Sequence, residues 1–384
     1  MKLLYYSSQP SQQISPTLFQ SKLKRWFSQF GRGDLPWQME PTPYRVWISE
    51  IMLQQTQVKT VIPFYQKFMQ RYPTLETLAH SSIDELITYW AGLGYYARAR
   101  NLHKAAQVIL NEFNGKFPQE VKVLETLPGI GRSTAGAILS LSDTGAAPIL
   151  DGNVKRVLCR LFGVTELPNS TSGQKKLWEI SSYLTPKKAA KAYNQAMMDL
   201  GATLCTPTRP ACDRCPFQEL CYAFQYQQQQ QLPTKKQKST PKPTHQKWYL
   251  VLSHRQKLLL KQRPAQGIWS HLWIFPEFDS LELLDNFLHS CGTNAHAPEQ
   301  KSPSTLKHSF THFDLQMHFV YVEWGNAPKK PLFNKTHLKT APFAWWDMHA
   351  EIFHSIGCPA PIRKVIEQLY TKAVDLKHER CIRN

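Results

Sequence analysis

The chain has 384 residues, 42% of them hydrophobic, so it is not disordered overall and is long enough for two or three domains with buried cores. No apolar run approaches the roughly 18 residues of a membrane span, and the N-terminus lacks a secretory signal pattern. The net charge is +18: residues 1–222 carry 25 Lys and Arg against 16 Asp and Glu, and residues 223–384 carry 21 against 12. This sharing of charge favours a polyanion that contacts both parts, with nucleic acid ahead of an anionic membrane surface.

Residues 1–15 are predicted to be a flexible tail, and residues 16–222 an all-α domain. Thr42 before Pro43 is a helix-start signal, and Ser82-Ile-Asp-Glu85 is a capping box. Further helices are predicted over residues 18–30, 61–71, 95–113, 133–141, 153–162, 174–184 and 188–200.

Glu50 lies on the predicted helix that starts at Pro43. Its neighbours one turn away are largely apolar, with Val46 and Trp47 before it and Leu53 after it. Because burial raises the pKa of a carboxyl group, such a glutamate can hold a proton near neutral pH and act as a general acid. The alternative is a glutamate at the edge of an apolar stripe that reaches solvent.

Two glycine turns follow along the chain. Residues 92–100, with the sequence GLGYYARAR, combine flexible backbone with Tyr95, Tyr96 and two arginines. Such a loop can press a side chain into a base stack while arginines hold phosphates. Tyr95 and Tyr96 could equally be core aromatic residues.

The second glycine turn, Gly129-Ile-Gly131, separates two predicted helices. The N–H groups at the start of the second helix, with Arg132 beside them, form a potential phosphate site. A plain packing corner between two helices is the alternative.

Asp151 precedes a predicted helix and is well placed to be its N-cap. Backbone N–H groups bonded to one carboxylate oxygen would keep the group ionised while the other oxygen faces a ligand. An ionised aspartate opposite a protonated glutamate is the pairing that cleaves glycosidic bonds, so Asp151 and Glu50 are candidates for that pair.

Four of the eight cysteines fall within a 17-residue stretch and predict a metal site. Their spacing has one Cys-x-x-Cys hook flanked by longer arms, in Cys205, Cys212, Cys215 and Cys221. Four thiolates can hold zinc or an iron–sulfur cluster, and the single hook favours a 4Fe–4S cluster over zinc.

These motifs together resemble the helix-hairpin-helix DNA glycosylases with an iron–sulfur loop, the endonuclease III superfamily, and most closely the MutY-type adenine glycosylases. The resemblance covers about residues 18–222 and includes SEIMLQQTQV from Ser49, LPGIGRSTA from Leu127 and LDGNV from Leu150. It implies that Glu50 protonates the adenine ring and activates water, that Asp151 stabilises the sugar cation or attacks it, and that Asn153 steadies the network.

The resemblance also implies residues that handle DNA. Leu35, Trp37 and Gln195 match positions that line the adenine pocket of the family, while Gln55 and Tyr95 match positions inserted around the opposite base. Each could instead be ordinary packing. The hairpin residues Gly129, Gly131, Arg132 and Ser133 would contact the DNA backbone.

Ser133 separates two chemistries within the superfamily. Members that cleave the strand carry lysine at this position to form a Schiff base, and this chain has serine. Simple base removal, leaving an abasic site, is therefore expected. A glycosylase that removes oxidised pyrimidines and cleaves the strand, and a non-catalytic iron–sulfur DNA-binding protein, are the alternatives.

Residues 223–246 are rich in Gln, Lys and Pro and predict an extended, basic linker. Beyond it, residues 247–384 predict an α+β domain, with a hairpin at 248–261, strands at 305–311 and 314–324, and helices at 281–289 and 360–370. The stretch from Gly267 to Glu277 resembles the Nudix-like domain of MutY proteins. The acidic pair that holds magnesium in Nudix hydrolases is missing, so hydrolase activity is not expected.

The segment Phe310-Thr311-His312 matches the loop with which the family reads 8-oxoguanine, with Thr replacing Ser. A plain strand-turn-strand corner is the alternative. The expected partner is duplex DNA with A:8-oxoguanine or A:G mispairs, and the protein is expected to be an intracellular, nucleoid-associated monomer that is not bound to a membrane.

Overall fold

The computed structural model describes residues 14–236, 241–290, 304–323, 342–348 and 356–382, so most of the predicted N-terminal tail lies outside the described residues. The chain divides into two units, Met1–His80 with Arg100–Lys238, and Ser81–Ala99 with Ser239–Asn384. None of the described helices combines the length and apolar composition that a membrane crossing requires.

The N-terminal part of the chain is helical. Its α-helices are α1 (Pro16–Phe30), α2 (Pro43–Leu53), α3 (Val58–Arg71), α4 (Leu75–Ala79), α5 (Ile83–Trp90), α6 (Ala97–Glu112), α7 (Val121–Leu124), α8 (Arg132–Leu141), α9 (Gly152–Phe162), α10 (Thr171–Leu184), α11 (Ala190–Asp199) and α12 (Tyr222–Gln225). A π-helix spans Leu200–Leu204, and 3₁₀ turns span Pro36–Gln38, Cys212–Arg214 and Gln218–Leu220. The predicted helices are confirmed, including α7 before the second glycine turn, while the short helices α4 and α12 were not predicted.

Side-chain caps set where these helices begin. The Thr42 hydroxyl accepts a hydrogen bond from the Arg45 N–H at 3.2 Å, and the Ser82 hydroxyl accepts one from the Glu85 N–H at 3.1 Å. Each cap satisfies a backbone donor that has no partner within its helix. The start of α2, which carries Glu50, is therefore fixed by local sequence.

A buried core joins α1, α9, α10 and α11 in the first unit. Phe19 of α1 has no exposed surface and stacks on Phe217 of the cysteine loop, with ring centroids 4.5 Å apart. Its other members include Leu23, Trp26, Val157, Leu158, Leu177, Ile180, Ala196 and Met197. Burial of a side chain such as Phe19 contributes about 1.5–3 kcal/mol. The cysteine loop is therefore packed on the helical core.

The first part of the predicted linker is folded rather than extended. Ala223 and Leu232 are buried, and the Leu232 carbonyl accepts a hydrogen bond from Arg160 Nε at 2.9 Å. Gln230 Nε2 donates to the Thr208 carbonyl at 2.7 Å. The glutamine-rich composition predicted an extended chain through this stretch, but the burial of Ala223 and Leu232 shows that the chain is packed as far as Leu232.

The second unit contains a mixed β-sheet. Its strands in the described residues are β1 (Thr244–His254), β2 (Lys257–Gln262), β3 (Trp273–Ile274), β4 (Glu277–Phe278), β5 (Ser304–Ser309), β6 (Asp314–Glu323) and β7 (Phe343–Asp347). The sheet order is β3-β2-β1-β6-β5, with β4 paired to β1 and β7 to β2. Strands β1 and β6 are parallel, and the other pairs are antiparallel.

Two helices, α13 (Leu281–Ser290) and α14 (Ala360–Ile382), complete the second unit. Leu284 of α13 is buried in a cluster with Leu250, Leu252 and Leu259 of the sheet. Tyr249 of β1, whose side chain lies on the opposite face of the sheet from Leu250, stacks on Phe319 of β6, with ring centroids 5.5 Å apart. The predicted α+β class is confirmed, and β3, β4 and β7 were not predicted.

Candidate active site

The glycine turn between α7 and α8 depends on two glycines with different roles. Gly129 has φ of 78°, and a Cβ there would lie 2.8 Å from the Asn101 Cβ. Gly131 is the N-cap of α8 with φ of −94°, and a Cβ there would meet nothing within 4 Å. Gly129 is therefore required by the fold, whereas Gly131 leaves open space at the start of the helix.

The next two residues point to different neighbours. The Arg132 guanidinium lies 4.0 Å from the ring centroid of Trp178 on α10, a cation–π contact that orients an exposed arginine. The Ser133 hydroxyl accepts a hydrogen bond from the Leu150 N–H at 2.9 Å. Ser133 thus ties the start of α8 to the residue before Asp151, a contact that its sequence position did not reveal.

Asp151 is the N-cap of α9, as predicted. Its Oδ1 accepts a hydrogen bond from the Val154 N–H at 2.7 Å, and its Oδ2 accepts one from Asn153 Nδ2 at 3.0 Å. Burial raises the pKa of Asp151, and these hydrogen bonds lower it. The hydrogen bonds act in the predicted direction, but burial outweighs them and leaves the pKa of Asp151 above its usual value.

Glu50 is half-buried on α2, which packs against α8. Burial, and secondly the negative charge of Asp151, raise the pKa of Glu50 to about 8. Glu50 keeps some contact with solvent, as at the edge of an apolar stripe, but its pKa is shifted as in a desolvated carboxyl group. The structure therefore brings the two predicted carboxyl groups into one electrostatic environment, in which Glu50 holds its proton at neutral pH.

Arg156 connects Asn153 to the backbone that leads into the cysteine loop. Its Nη2 donates to Asn153 Oδ1 at 2.9 Å and to the Gly201 carbonyl at 2.7 Å, and its Nε donates to the Cys205 carbonyl at 2.8 Å. A Cβ on Gly201 would lie 2.6 Å from the Asn153 Cβ. The π-helix thus lies close against Asn153. The role of Arg156 was not predicted from the sequence, because its partners Gly201 and Cys205 lie 45 and 49 residues away in the chain.

Arg160, one turn further along α9, is buried and holds the cysteine loop. Its guanidinium donates to the carbonyls of Thr206 at 2.7 Å and Pro207 at 2.9 Å. The same guanidinium donates to Cys205 Sγ at 3.4 Å. Arg160 therefore attaches the start of the cysteine loop to α9.

The four clustered cysteines lie within electrostatic reach of one another. Burial, and then the charges of the other three, raise the pKa of Cys215 to about 12. No three His, Cys, Asp or Glu side chains in the described ranges are arranged to hold a single metal ion. Four thiols on one short loop are nevertheless a donor set of the kind that holds a zinc ion or an iron–sulfur cluster.

A cavity of about 450 Å³ lies among α1, α2, α8 and α11. Of the predicted pocket residues, Trp37 and Gln195 line it, while the buried Leu35 lies outside its lining. Ser49 and Val46 of α2 are also part of the wall, whereas Glu50 and Asp151 are not among the lining residues. Its other lining residues are Phe27, Arg32, Gly33, Gln38, Pro41, Leu141, Asp143, Ala189, Lys191 and Ala192.

Gln55 and Tyr95 both occupy strained, exposed positions. Gln55 follows the end of α2 with φ of 56°, and Tyr95 has φ of 50° and is 50% exposed. Tyr96 is half-buried, and burial raises its pKa to about 12. One of the two tyrosines is therefore presented to solvent, and the other packs inward.

The segment predicted to read the opposite base forms a tight turn between β5 and β6. The Phe310 N–H donates to the Phe313 carbonyl at 2.8 Å, which leaves Thr311 and His312 exposed at the tip. The Phe310 ring stacks on Phe313 and packs against Trp269, with ring centroids 4.7 and 5.2 Å apart. The aromatic cluster fixes the base of the turn.

Helices α7 and α8 with the turn between them form a helix-hairpin-helix. This motif, the interacting pair Glu50 and Asp151, and the four-cysteine loop are together the features of a helix-hairpin-helix DNA glycosylase. Comparison with known proteins agrees. The profile described as HhH-GPD superfamily base excision DNA repair protein matches residues 48–182, and the NUDIX domain profile matches residues 247–368.

Individual relatives identify the family within this class. The adenine DNA glycosylase of Buchnera aphidicola subsp. Acyrthosiphon pisum (strain APS) is 38% identical over 350 residues, which cover 91% of this chain and 97% of the relative. The human adenine DNA glycosylase is 33% identical over 410 residues, covering 91% and 73%. A thermostable thymine-DNA glycosylase structure is 30% identical, with a TM-score of 0.51, over 55% of this chain and 97% of that one.

The chain belongs to the adenine DNA glycosylase family of base excision repair enzymes. It is therefore a DNA N-glycosylase, as the sequence motifs predicted.

Proposed function

We propose that this enzyme removes adenine mispaired with 8-oxoguanine or guanine from duplex DNA. The observation that carries the proposal is Glu50, whose pKa is raised to about 8, within the electrostatic reach of Asp151. An acid that is protonated at neutral pH can protonate the ring nitrogen N7 of adenine, which makes the base a better leaving group. The same carboxylate then accepts a proton from the attacking water.

Asp151 acts on the sugar. As the glycosidic bond breaks, positive charge develops on the deoxyribose, and a carboxylate held by Val154 and Asn153 stabilises that charge. Its two hydrogen bonds orient both carboxylate oxygens before the reaction begins. Asn153 acts through Asp151 and is itself oriented by Arg156.

Base flipping delivers adenine to the cavity beside α2, the helix that carries Glu50. The cavity of about 450 Å³ is large enough for a purine, and Trp37 and Gln195 supply an aromatic wall and a polar group. Gln55 and Tyr95 occupy exposed positions with positive φ, which suits side chains that enter the base stack. Gly131 and Arg132 hold the phosphate backbone at the start of α8.

Recognition of the opposite base is assigned to the turn with Phe310, Thr311 and His312. The exposed Thr311 hydroxyl and His312 ring can hydrogen-bond to a base edge, while the packed Phe310 holds the turn rigid. Residues 247–384 then serve recognition rather than nucleotide hydrolysis.

Cys205, Cys212, Cys215 and Cys221 are proposed to hold a 4Fe–4S cluster. When bound, the cluster cross-links the loop and adds no step to base removal. Arg160 and Arg156 connect that loop to α9, so the loop fixes the position of the helix that carries Asp151 at its start.

The reaction should stop at base removal. The Ser133 hydroxyl is bonded to the Leu150 N–H, and serine supplies no amine for a Schiff base at this position. We further propose that the enzyme acts as a monomer on DNA inside the cell.

A panel of labelled duplexes tests the proposal. Adenine opposite 8-oxoguanine or guanine should yield an alkali-labile site, whereas adenine opposite thymine and an oxidised pyrimidine opposite guanine should not. Borohydride should trap no protein on the DNA, and Glu50→Gln should release almost no adenine. Borohydride trapping with release of oxidised pyrimidines would instead support a strand-cleaving glycosylase, and lesion-specific binding without any abasic product would support a non-catalytic protein.

A further inference from the structure

Asp199, at the end of α11, is a fully buried carboxylate that no sequence motif singled out. Its side chain has no exposed surface. Its Oδ2 accepts a hydrogen bond from the Arg32 N–H at 2.8 Å, and its Oδ1 accepts from Arg32 Nε at 3.1 Å, Arg32 Nη2 at 2.6 Å and Gln195 Nε2 at 3.0 Å. The four hydrogen bonds to the Asp199 carboxylate thus come from two residues, Arg32 and Gln195, and both line the cavity.

The contact with Gln195 fixes which end of its amide meets Asp199. An ionised carboxylate only accepts hydrogen bonds, so the amide nitrogen of Gln195 must face it. The reverse orientation would place the Gln195 carbonyl oxygen about 3 Å from a carboxylate oxygen, with two acceptors and no proton between them. Because Gln195 lines the cavity and Asp199 does not, the carbonyl oxygen is the end left for a bound base.

A carbonyl oxygen discriminates between purines by their substituent at position 6. Adenine carries an amino group there, which donates hydrogen bonds, whereas guanine and hypoxanthine carry an oxygen, which accepts them. An acceptor presented by the protein would therefore pair with the amino group and be opposed by the oxygen. A neutral amide that was free to rotate would offer its NH₂ to the oxygen equally well.

We propose that Asp199 is a positioning residue that holds Gln195 with its carbonyl oxygen toward the cavity and thereby selects 6-aminopurines over 6-oxopurines. The inference rests on the proposed adenine excision. Arg32 offsets the burial of the Asp199 charge, and its backbone N–H also fixes the Gly31–Gly33 loop at the cavity wall.

Single-turnover release of three bases opposite 8-oxoguanine tests the proposal. The bases are adenine, unsubstituted purine and hypoxanthine, and the proteins are the wild type, Asp199→Asn, Gln195→Leu and the double variant. Both the adenine-to-purine and the adenine-to-hypoxanthine rate ratios should fall about tenfold in each single variant, as expected for one lost hydrogen bond with an unpaired partner. The double variant should fall no further, because both changes remove the same contact.

If Asp199 only stabilises the fold, Asp199→Asn will slow all three bases by the same factor and leave both ratios unchanged. Lys176→Met, which removes a partly exposed ion pair with Glu166, is the control for loss of an ion pair and should change neither ratio.

Gln195→Leu decides the matter if Asp199→Asn does not fold, which circular dichroism will show. Gln195→Leu should lower both ratios, and unchanged ratios in Gln195→Leu overturn the proposal. A wild-type enzyme that releases no adenine would instead refute the proposed function itself.

Discussion

At the scale of single residues, the raised pKa of Glu50 lowers the free energy of unfolding of the protein at neutral and alkaline pH. The folded protein raises the pKa of Glu50 from 4.5 to about 8 by burial and by the charge of Asp151. The folded state therefore binds a proton that the unfolded state has already released between these two pH values. Stability that is present below pH 4.5 is lost progressively as the pH rises toward 8.

Glu50→Gln should consequently stabilise the protein at alkaline pH while abolishing its activity. Glutamine is neutral at every pH, so the variant avoids the cost of burying a charge, which is on the order of a few kcal/mol at pH 8. Urea unfolding at pH 5 and pH 8.5 measures this directly. The gain in the free energy of unfolding should be larger at pH 8.5.

Glu76→Gln is a matched control, because Glu76 lies on the surface in the first turn of α4. The free energy of unfolding of this variant should differ from that of the wild type by a similar amount at both pH values. A Glu50→Gln variant that is equally or less stable than the wild type at pH 8.5 would contradict a buried, charged Glu50.

At the scale of secondary-structure elements, the two glycines between α7 and α8 are expected to differ in role: Gly129 stabilises the fold, and Gly131 leaves space for a phosphate. Gly129→Ala should destabilise the protein by about 1–3 kcal/mol, because it places a Cβ at positive φ and against Asn101. Gly131→Ala should leave the free energy of unfolding within about 0.5 kcal/mol of the wild type, since its Cβ meets nothing.

DNA binding should separate the two glycine variants further. Gly131→Ala should weaken DNA binding without loss of stability, because the new methyl group occupies the space where a phosphate approaches the start of α8. Thermal unfolding and fluorescence anisotropy with a labelled duplex measure the two effects. A Gly131→Ala variant with wild-type affinity would show that the hairpin is only a packing corner.

Helix α9 joins the candidate carboxylate to the cysteine loop through Arg156. Arg156→Lys should slow adenine release and lower stability by about 2–3 kcal/mol, because one ammonium group cannot reach Asn153, Gly201 and Cys205 together. Arg45→Lys is the matched control, since the Arg45 guanidinium donates to Glu40, whose side chain is exposed. A wild-type rate of adenine release in Arg156→Lys would contradict a role of Arg156 in positioning the catalytic residues.

At the scale of the whole molecule, the residues that the sequence predicted are those with local signals. Helix starts at Thr42 and Ser82, the Asp151 cap and the acid on α2 follow from neighbouring residues. Arg156, Asp199 and the buried Leu232 depend on partners 45 or more residues away in the chain. Hydrophobic periodicity and capping motifs contain no information about such pairs, so the network behind the site required the structure.

The assignment of residues 81–99 is a second feature that the sequence did not predict. By their contacts these residues belong with residues 239–384 rather than with the helices on either side. The motif at 92–100 and its helical surroundings predicted a single continuous N-terminal domain. Which unit a helix joins depends on long-range contacts, and the helical pattern of α5 is compatible with either.

The basic charge along the whole chain predicts a strong salt dependence of DNA binding. Residues 1–222 and residues 223–384 each have a net charge of +9, so lysines and arginines should displace counterions along the DNA contact. A plot of log affinity against log salt should have a slope of about −0.9 for each phosphate neutralised. A slope near zero, measured by anisotropy between 50 and 300 mM salt, would contradict contact with a polyanion.

The pH dependence of adenine release is the most direct test of Glu50 as the general acid. Single-turnover rates on an A:8-oxoguanine duplex should be highest where Glu50 is protonated and should fall about tenfold per pH unit above its pKa of about 8. Glu50→Gln should be almost inactive at every pH. A rate that stays constant up to pH 9.5, or a Glu50→Gln variant that retains the wild-type rate, would contradict the assignment of Glu50 as the acid.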